Sequence, residues 1–396
     1  MLKEKNKFIA TILAFAVIPM SGLATDIYLP SMPSMALELQ QPESRIQLTL
    51  TIFLISYGLT QFFAGSVVDT FGRYRVALIS QALFVLSFLI TAVTKDILVI
   101  YAMRVLQGML SGFAVVSKRA FFVDVYDGEE RKHYLSIMTI VWSVGPIVAP
   151  FIGGYLQSLF GWQSNFYVLA GYSLLLLILE FAFSGETLKT KKVFLLSDMI
   201  GEYKMMFGTK DFFYGMLMCG VSYAMVIFFN LCGAFIIEHK MGYSEVVAGY
   251  VSLILGFAWM SGGFLGKALI AKPFMPKIRY ANFIQIILIV AMLFASFYLN
   301  SIYSLVAFAF VVHITAGFIF NNYFAYCIGR FPESAGMAGG LTGGVAFIFT
   351  SALSYGIVAI IKPQNQMNVA EGYLVMGILG LIILTVIRLR KAYTVH

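Results

Sequence analysis

Charge is what this chain has least of. Only 12% of its 396 residues are charged against 60% hydrophobic, with a mean hydropathy of +0.86. That is too little polar surface to cover a soluble fold of this length, whereas a bilayer favours such a balance. Cysteine is also scarce: Cys219, Cys232 and Cys327 lie in apolar surroundings without C-x-x-C spacing, which argues against a metal site or a disulfide scaffold. The four histidines, His133, His239, His313 and His396, are scattered without ligand spacing, so a membrane-embedded metalloenzyme lacks its donors and no metal is expected. No G-x-x-x-x-G-K-[ST] element is present, which removes energy from bound ATP. No cofactor is expected.

What is abundant is long apolar runs. Segments near 8–30, 48–69, 75–94, 97–117, 134–157, 165–185, 212–236, 246–268, 280–298, 302–325, 336–361 and 371–388 each approach the length that crosses a bilayer. They predict an all-α membrane protein of twelve spans with both termini on one side. Of the 27 Lys and Arg, only Arg45, Lys95, Lys240 and Lys362 fall in the alternate loops and Arg104 falls inside a span. The rest gather on the side of the termini, which the positive-inside rule makes cytoplasmic. The net charge of +8 is thereby topological, and a nucleic-acid partner is unnecessary. Lys3, Lys5 and Lys7 before an apolar run could open a signal peptide, but eleven further runs favour an uncleaved first helix.

The longest polar interruption, within 185–210, carries five lysines and separates six spans from six. It predicts an N-terminal bundle over 1–188, a cytoplasmic linker over 189–210 and a C-terminal bundle over 211–396. Two halves of similar length suggest the internal repeat from which carriers are built, with a substrate site near the midplane.

Asp26 is the lone charged residue between Phe8 and Leu37. It is either an acid just outside a helix end or a buried carboxylate, which usually faces a partner or a water-filled cavity. Arg104 offers the partner. Starting the fourth span near Ile97 puts it roughly 10 Å below the outer surface, and Asp26 lies roughly 27 Å up from the inner start of the first span. Both fall in the outer half, so the two can meet, as a structural ion pair or as a coupling pair. His313 in the tenth span is either a hydrogen-bonded core histidine or a proton-handling group.

Five sequence elements point to one family. Gly65, Asp69, Gly72, Arg73 and Arg75 form a G-x-x-x-D-x-x-G-R-x-R loop between the second and third spans. Arg104, Gln107 and Gly108 read R-x-x-Q-G, and Gly145, Pro146, Pro150, Gly153 and Gly154 read G-P-x-x-x-P-x-x-G-G. Asp26, Tyr28, Pro30 and Pro33 read D-x-Y-L-P-x-x-P, and Glu186 opens a Glu-Thr-Leu element after the sixth span. Together these resemble the major facilitator superfamily, and specifically its Bcr/CflA branch of drug-resistance exporters. The glycines of the loop would let two helices approach closely, with Asp69 at a neighbouring helix N-terminus and Arg73 paired to an acid.

The resemblance implies a proton-coupled antiporter, multi-pass in the inner membrane and monomeric, that exports amphipathic small molecules by rocking of two bundles. Its partners would be the substrate, protons and membrane lipid. It assigns proton coupling to Asp26 and Arg104, and a conformational latch to Gly65, Asp69, Gly72, Arg73 and Asp124. The antiporter helix would be that of Gly145, Pro146, Pro150, Gly153 and Gly154. Tyr28, Gln107, Tyr223, Asn230, His313, Asn321 and Asn322 are the candidate cavity residues. Export of an endogenous product such as a siderophore, or nutrient symport, are the other readings of the same scaffold.

Overall fold

The computed structural model describes residues 1–190 and 196–389, and every regular element in it is helical. Lys191 and Lys192 of the expected linker, and Arg390, Lys391 and His396 of the tail, lie outside the described residues. The chain divides into two compact units, Met1–Leu196 and Ser197–His396.

The first unit begins with α1 (Lys7–Val17), α2 (Met20–Asp26) and α3 (Met32–Glu38), which together make one broken span, Glu4–Glu38. Prolines set the breaks. Pro30 has no N–H to offer the carbonyl of Asp26, so the helix stops there and passes through a 3₁₀ turn, Leu29–Ser31, in which Ser31 N–H donates to Tyr28 O at 2.8 Å. The span therefore continues well beyond the expected end near residue 30, and Asp26 sits at a helix break roughly 18 Å from its Glu38 end rather than at its edge.

Next come α4 (Glu43–Gln61) and α5 (Ala64–Phe71), a single second span bent by 59°. The bend falls just before Gly65 and Ser66, a Gly/Ser pair of the kind that permits sharp kinks. Then follow α6 (Arg73–Val93), α7 (Ile97–Val125), α8 (Gly128–Phe160) and α9 (Gln163–Phe183). The stretch read as linker contains a helix of its own, α10 (Leu196–Gly208).

The second unit holds α11 (Lys210–Phe235), α12 (Glu245–Ala268), α13 (Phe274–Ala295), α14 (Ile302–Arg330), α15 (Ala335–Ile361) and α16 (Gln366–Leu389). A π-helical turn, Ile236–Lys240, extends α11. Eleven stretches are long and apolar enough to cross a bilayer, and the bent α4/α5 pair brings the total among described residues to twelve.

Both units repeat one packing device. In the first, the second span packs on the fourth because Gly108 of α7 leaves no room for a side chain beside the Phe53 carbonyl and the Tyr57 amide of α4. In the second, the eighth span packs on the tenth through Gly262 and Gly317, each set against the other helix's backbone. Where lipid tails replace water, small residues that allow backbones to touch are a main source of helix association.

Candidate ion-coupling site

Arg104 is completely buried, and its surroundings come from three helices and the turn after α2. Nη1 donates to Ala24 O at 3.0 Å and to Gln107 Oε1 at 2.9 Å, and Nε donates to Thr49 O at 3.4 Å. The guanidinium lies 4.3 Å from the centre of the Tyr28 ring and 4.7 Å from that of Phe53. Cation–π contacts of this kind strengthen when water is excluded. Gln107 is itself held by donating Nε2 to Thr91 Oγ1 at 3.1 Å, and Tyr28 OH pairs with Thr49 Oγ1 at 3.0 Å.

These contacts are all neutral. They fix the guanidinium without using a carboxylate, and Nη2 has no hydrogen-bond partner among the described residues. Asp26 is 3% exposed, two residues from the Ala24 carbonyl that Arg104 grips, and lies within electrostatic reach of the guanidinium. The acid and base that the sequence placed at matching depth do share one interior. Tyr28 and Gln107, expected in the substrate cavity, are fully buried and instead build the seat of Arg104.

The helix carrying the two prolines packs against the Asp26 segment. A side chain at Gly145 would come within 2.8 Å of the Pro19 carbonyl, and one at Gly153 would overlap the Ile27 carbonyl. Reciprocally, a side chain at Gly22 would overlap the Pro146 ring. Gly145, Pro146 and Gly153 of α8 thus hold α2 and the turn after it at backbone contact, on either side of the break where Asp26 sits, and Pro150 lies between them on the same helix.

Where α5 meets α6, Arg73 pairs with Asp69 and donates Nε to Asp124 Oδ2 of α7 at 3.0 Å. Thr187 Oγ1 donates to the same Asp124 oxygen at 3.0 Å. The carboxylate at the α6 N-terminus is Glu186, not Asp69: it accepts from the Arg73 and Tyr74 amides at 3.0 and 3.3 Å, and from the Thr187 and Leu188 amides at 3.0 Å each. Gly72, at φ +103°, is required because a side chain there would strike Glu186. Gly65 plays no such part, since a side chain would meet nothing within 4 Å. Glu186→Ala is expected to cost roughly 1–2 kcal/mol by exposing the first amides of α6. A lowered melting temperature of the purified protein, with a smaller fall for Glu186→Gln, is the measurement.

The second unit's candidates are dispersed. His313 is buried, its Nε2 3.1 Å from Tyr373 OH and its ring edge-on to Phe229, as a core histidine would be. Asn321 and Asn322 donate back to their own helix, to Gly317 O at 2.8 Å and Phe318 O at 2.9 Å, and pack against Gly263 and Gly266. Tyr223 is half-buried among Trp259, Phe320 and Phe347, with ring centres 5.5 to 5.8 Å away. Asn230 is half-buried one helical stretch further along α11. Periodicity alone does not distinguish an aromatic cluster of this kind, with Trp259, Phe320 and Phe347, from lipid-facing surface.

Lys118, which the charge count puts with the basic residues on the side of the termini, is buried on α7 and ion-paired to Glu180, a fully buried residue of α9. Arg104 is therefore not the one basic residue inside a span. Glu180 stood in the sixth apolar run, and the criterion that singled out Asp26 would have found it.

Broken membrane helices, two six-span units and a buried acid–base pair define a polytopic carrier. The chain matches the Major Facilitator Superfamily over residues 14–355, and it belongs to that family. It is 24% identical to Multidrug resistance protein D of Escherichia coli (strain K12), over 96% of this chain and 95% of that one. It is 27% identical to the Bicyclomycin resistance protein homolog of Haemophilus influenzae over 90% of each chain, and 29% to the uncharacterized MFS-type transporter YdgK of Bacillus subtilis over 84% of each. The fold is similar to that of a D-xylose-proton symporter, with a TM-score of 0.74 at 17% identity, covering 95% of this chain and 97% of that one.

Proposed function

We propose that this protein is a drug–proton antiporter that exports amphipathic small molecules, with Asp26 as the group that binds and releases the coupling proton. The observation that carries the reading is the seat of Arg104. A guanidinium cannot lose its proton, and here neutral acceptors hold it whatever the state of its neighbour. Its fixed charge leaves Asp26 as the variable partner, ionised against Arg104 or against a cationic substrate, and neutral when protonated.

Support for export comes from relatives of nearly full coverage whose names denote drug and bicyclomycin resistance. The positive-inside distribution supports cytoplasmic termini in the inner membrane, with the bundles over 1–188 and 211–396 rocking about the linker between them. The inner network of Asp69, Arg73, Asp124 and Glu186 would hold one end of that motion, with substrate contacts drawn from Tyr223 and its aromatic neighbours in the second bundle. The chain is read as acting as a monomer in lipid.

The experiment is transport of ethidium into proteoliposomes whose lumen is acidified. Accumulation that collapses when the pH gradient is dissipated is the expected result. Accumulation indifferent to the gradient would overturn proton coupling.

A further inference from the structure

Glu180 is a carboxylate that the coupling scheme above does not use, yet it is more deeply buried than Asp26. It is completely enclosed, Oε1 is ion-paired to Lys118 Nζ, and Oε2 has no hydrogen-bond partner among the described residues. A buried ion pair is a poor source of stability, because apolar residues of similar size usually serve as well or better, and one kept inside a membrane bundle is a functional candidate. The geometry points to Glu180, seated by Lys118, as a second proton-binding carboxylate in the first bundle, so that two protons rather than one move per substrate. This rests on the antiporter reading of Asp26.

Position and chemistry both set this pair apart from the first. Asp26 and Arg104 occupy the outer half, whereas Glu180 lies roughly 5 Å from the inner end of α9 and Lys118 roughly 10 Å from that of α7. Ser117 on α7 and Gln81 on α6, each roughly 12 Å from the inner ends of their helices, are buried with their side-chain polar atoms unpartnered among the described residues. Polar groups in that condition mark places for internal water, here deeper in the bundle than Glu180, so that water could reach Glu180 from the interior side while Glu180 itself lies near the inner helix ends. The proton arrives from such water on Oε2, giving a neutral acid beside the Lys118 ammonium, and returns to water by the same atom.

The groups acting on Glu180 are few. Lys118 reaches it from α7, and Tyr74 of α6, whose hydroxyl donates to Phe181 O at 3.4 Å, lies within its electrostatic reach. The other helices packed on α9 commit their charges elsewhere: Lys7 of α1 covers the Tyr126 ring and Asp26 of α2 belongs to the outer half. On α8, Lys132 pairs with Glu129 and Arg131 with Asp127 at the inner surface, while Glu130 and His133 are exposed.

The full-length protein in proteoliposomes, with ethidium as probe and membrane potential clamped at zero, decides the matter by the substrate ratio at which net flux vanishes. With a tenfold proton gradient, two protons per ethidium hold about a hundredfold ratio and one proton about tenfold. The expected result is about a hundredfold for the wild type and a tenfold fall for Glu180→Gln. A wild-type ratio near tenfold, or an unchanged ratio in Glu180→Gln, would overturn the second site while leaving the first intact. A wild type that holds no gradient would overturn the antiporter reading itself. Should Glu180→Gln fail to fold with Lys118 left alone, the paired change Lys118→Leu with Glu180→Leu removes both charges and carries the same expectation.

Discussion

Asp26→Asn is expected to abolish proton-driven export while leaving the protein folded in the membrane. Asparagine matches the carboxylate in size but neither binds nor releases a proton, so the site beside Arg104 would be held in a single charge state. The loss should equal the whole drive through this site, whose electrical part is about 2.3 kcal/mol for each net charge moved at 100 mV, or roughly a fiftyfold accumulation ratio. Removing one member of a buried ion pair ordinarily costs several kcal/mol, because the remaining charge is stranded. Here the remaining charge is Arg104, which keeps Ala24 O, Thr49 O, Gln107 and two aromatic rings. Near-normal yield and melting temperature should therefore accompany the loss of transport. Ethidium accumulation driven by a pH gradient in proteoliposomes, together with thermal unfolding of the same preparation, measures both. Undiminished pH-driven transport would remove Asp26 from the coupling step.

Gly153→Val is expected to prevent stable assembly of the first bundle. The atom that a side chain would strike is the Ile27 backbone carbonyl, immediately after Asp26, so no flexible side chain can yield. Overpacking a well-formed interior costs about 1–3 kcal/mol even where neighbours can shift, and a backbone contact puts this case at or above the top of that range. The expected readout is loss of monodisperse protein on extraction and a large fall in melting temperature. Gly65→Ala is the control of opposite sign. It belongs to an equally recognisable motif, yet a side chain there meets nothing, and replacing a helical glycine should be neutral or should stabilise by about 0.5–1 kcal/mol. Two glycines that look alike as motif letters thus separate into one that packs and one that only allows a bend.

Much of this protein was legible before its structure. The bilayer leaves only helices as the way for such apolar runs to satisfy their backbone groups, which is why run length and charge asymmetry sufficed for the twelve spans and for the depth at which Asp26 and Arg104 could meet. Span ends were less legible. Pro30 was visible, but whether it would end the first span or merely break it depends on what packs around the turn, and α8 packs there through Gly145 and Gly153.

Partner choice was the least legible. Asp69, Asp124 and Glu186 are all acids at or near helix ends, and sequence spacing does not say which one receives the α6 amides; the fold brings Glu186 back to them from beyond α9. The same holds for Lys118, whose neighbours in sequence are solvated while it turns inward to Glu180. By itself the sequence determined the class of protein, the number of spans and the presence of an acid, Asp26, and a base, Arg104, within them, because each follows from composition against a single apolar solvent. Only the tertiary structure decided that neutral groups seat Arg104, and that a second acid–base pair lies buried in the same bundle. Those are matters of which side chains from distant helices reach the same few ångströms, and short-range patterns carry no information about that.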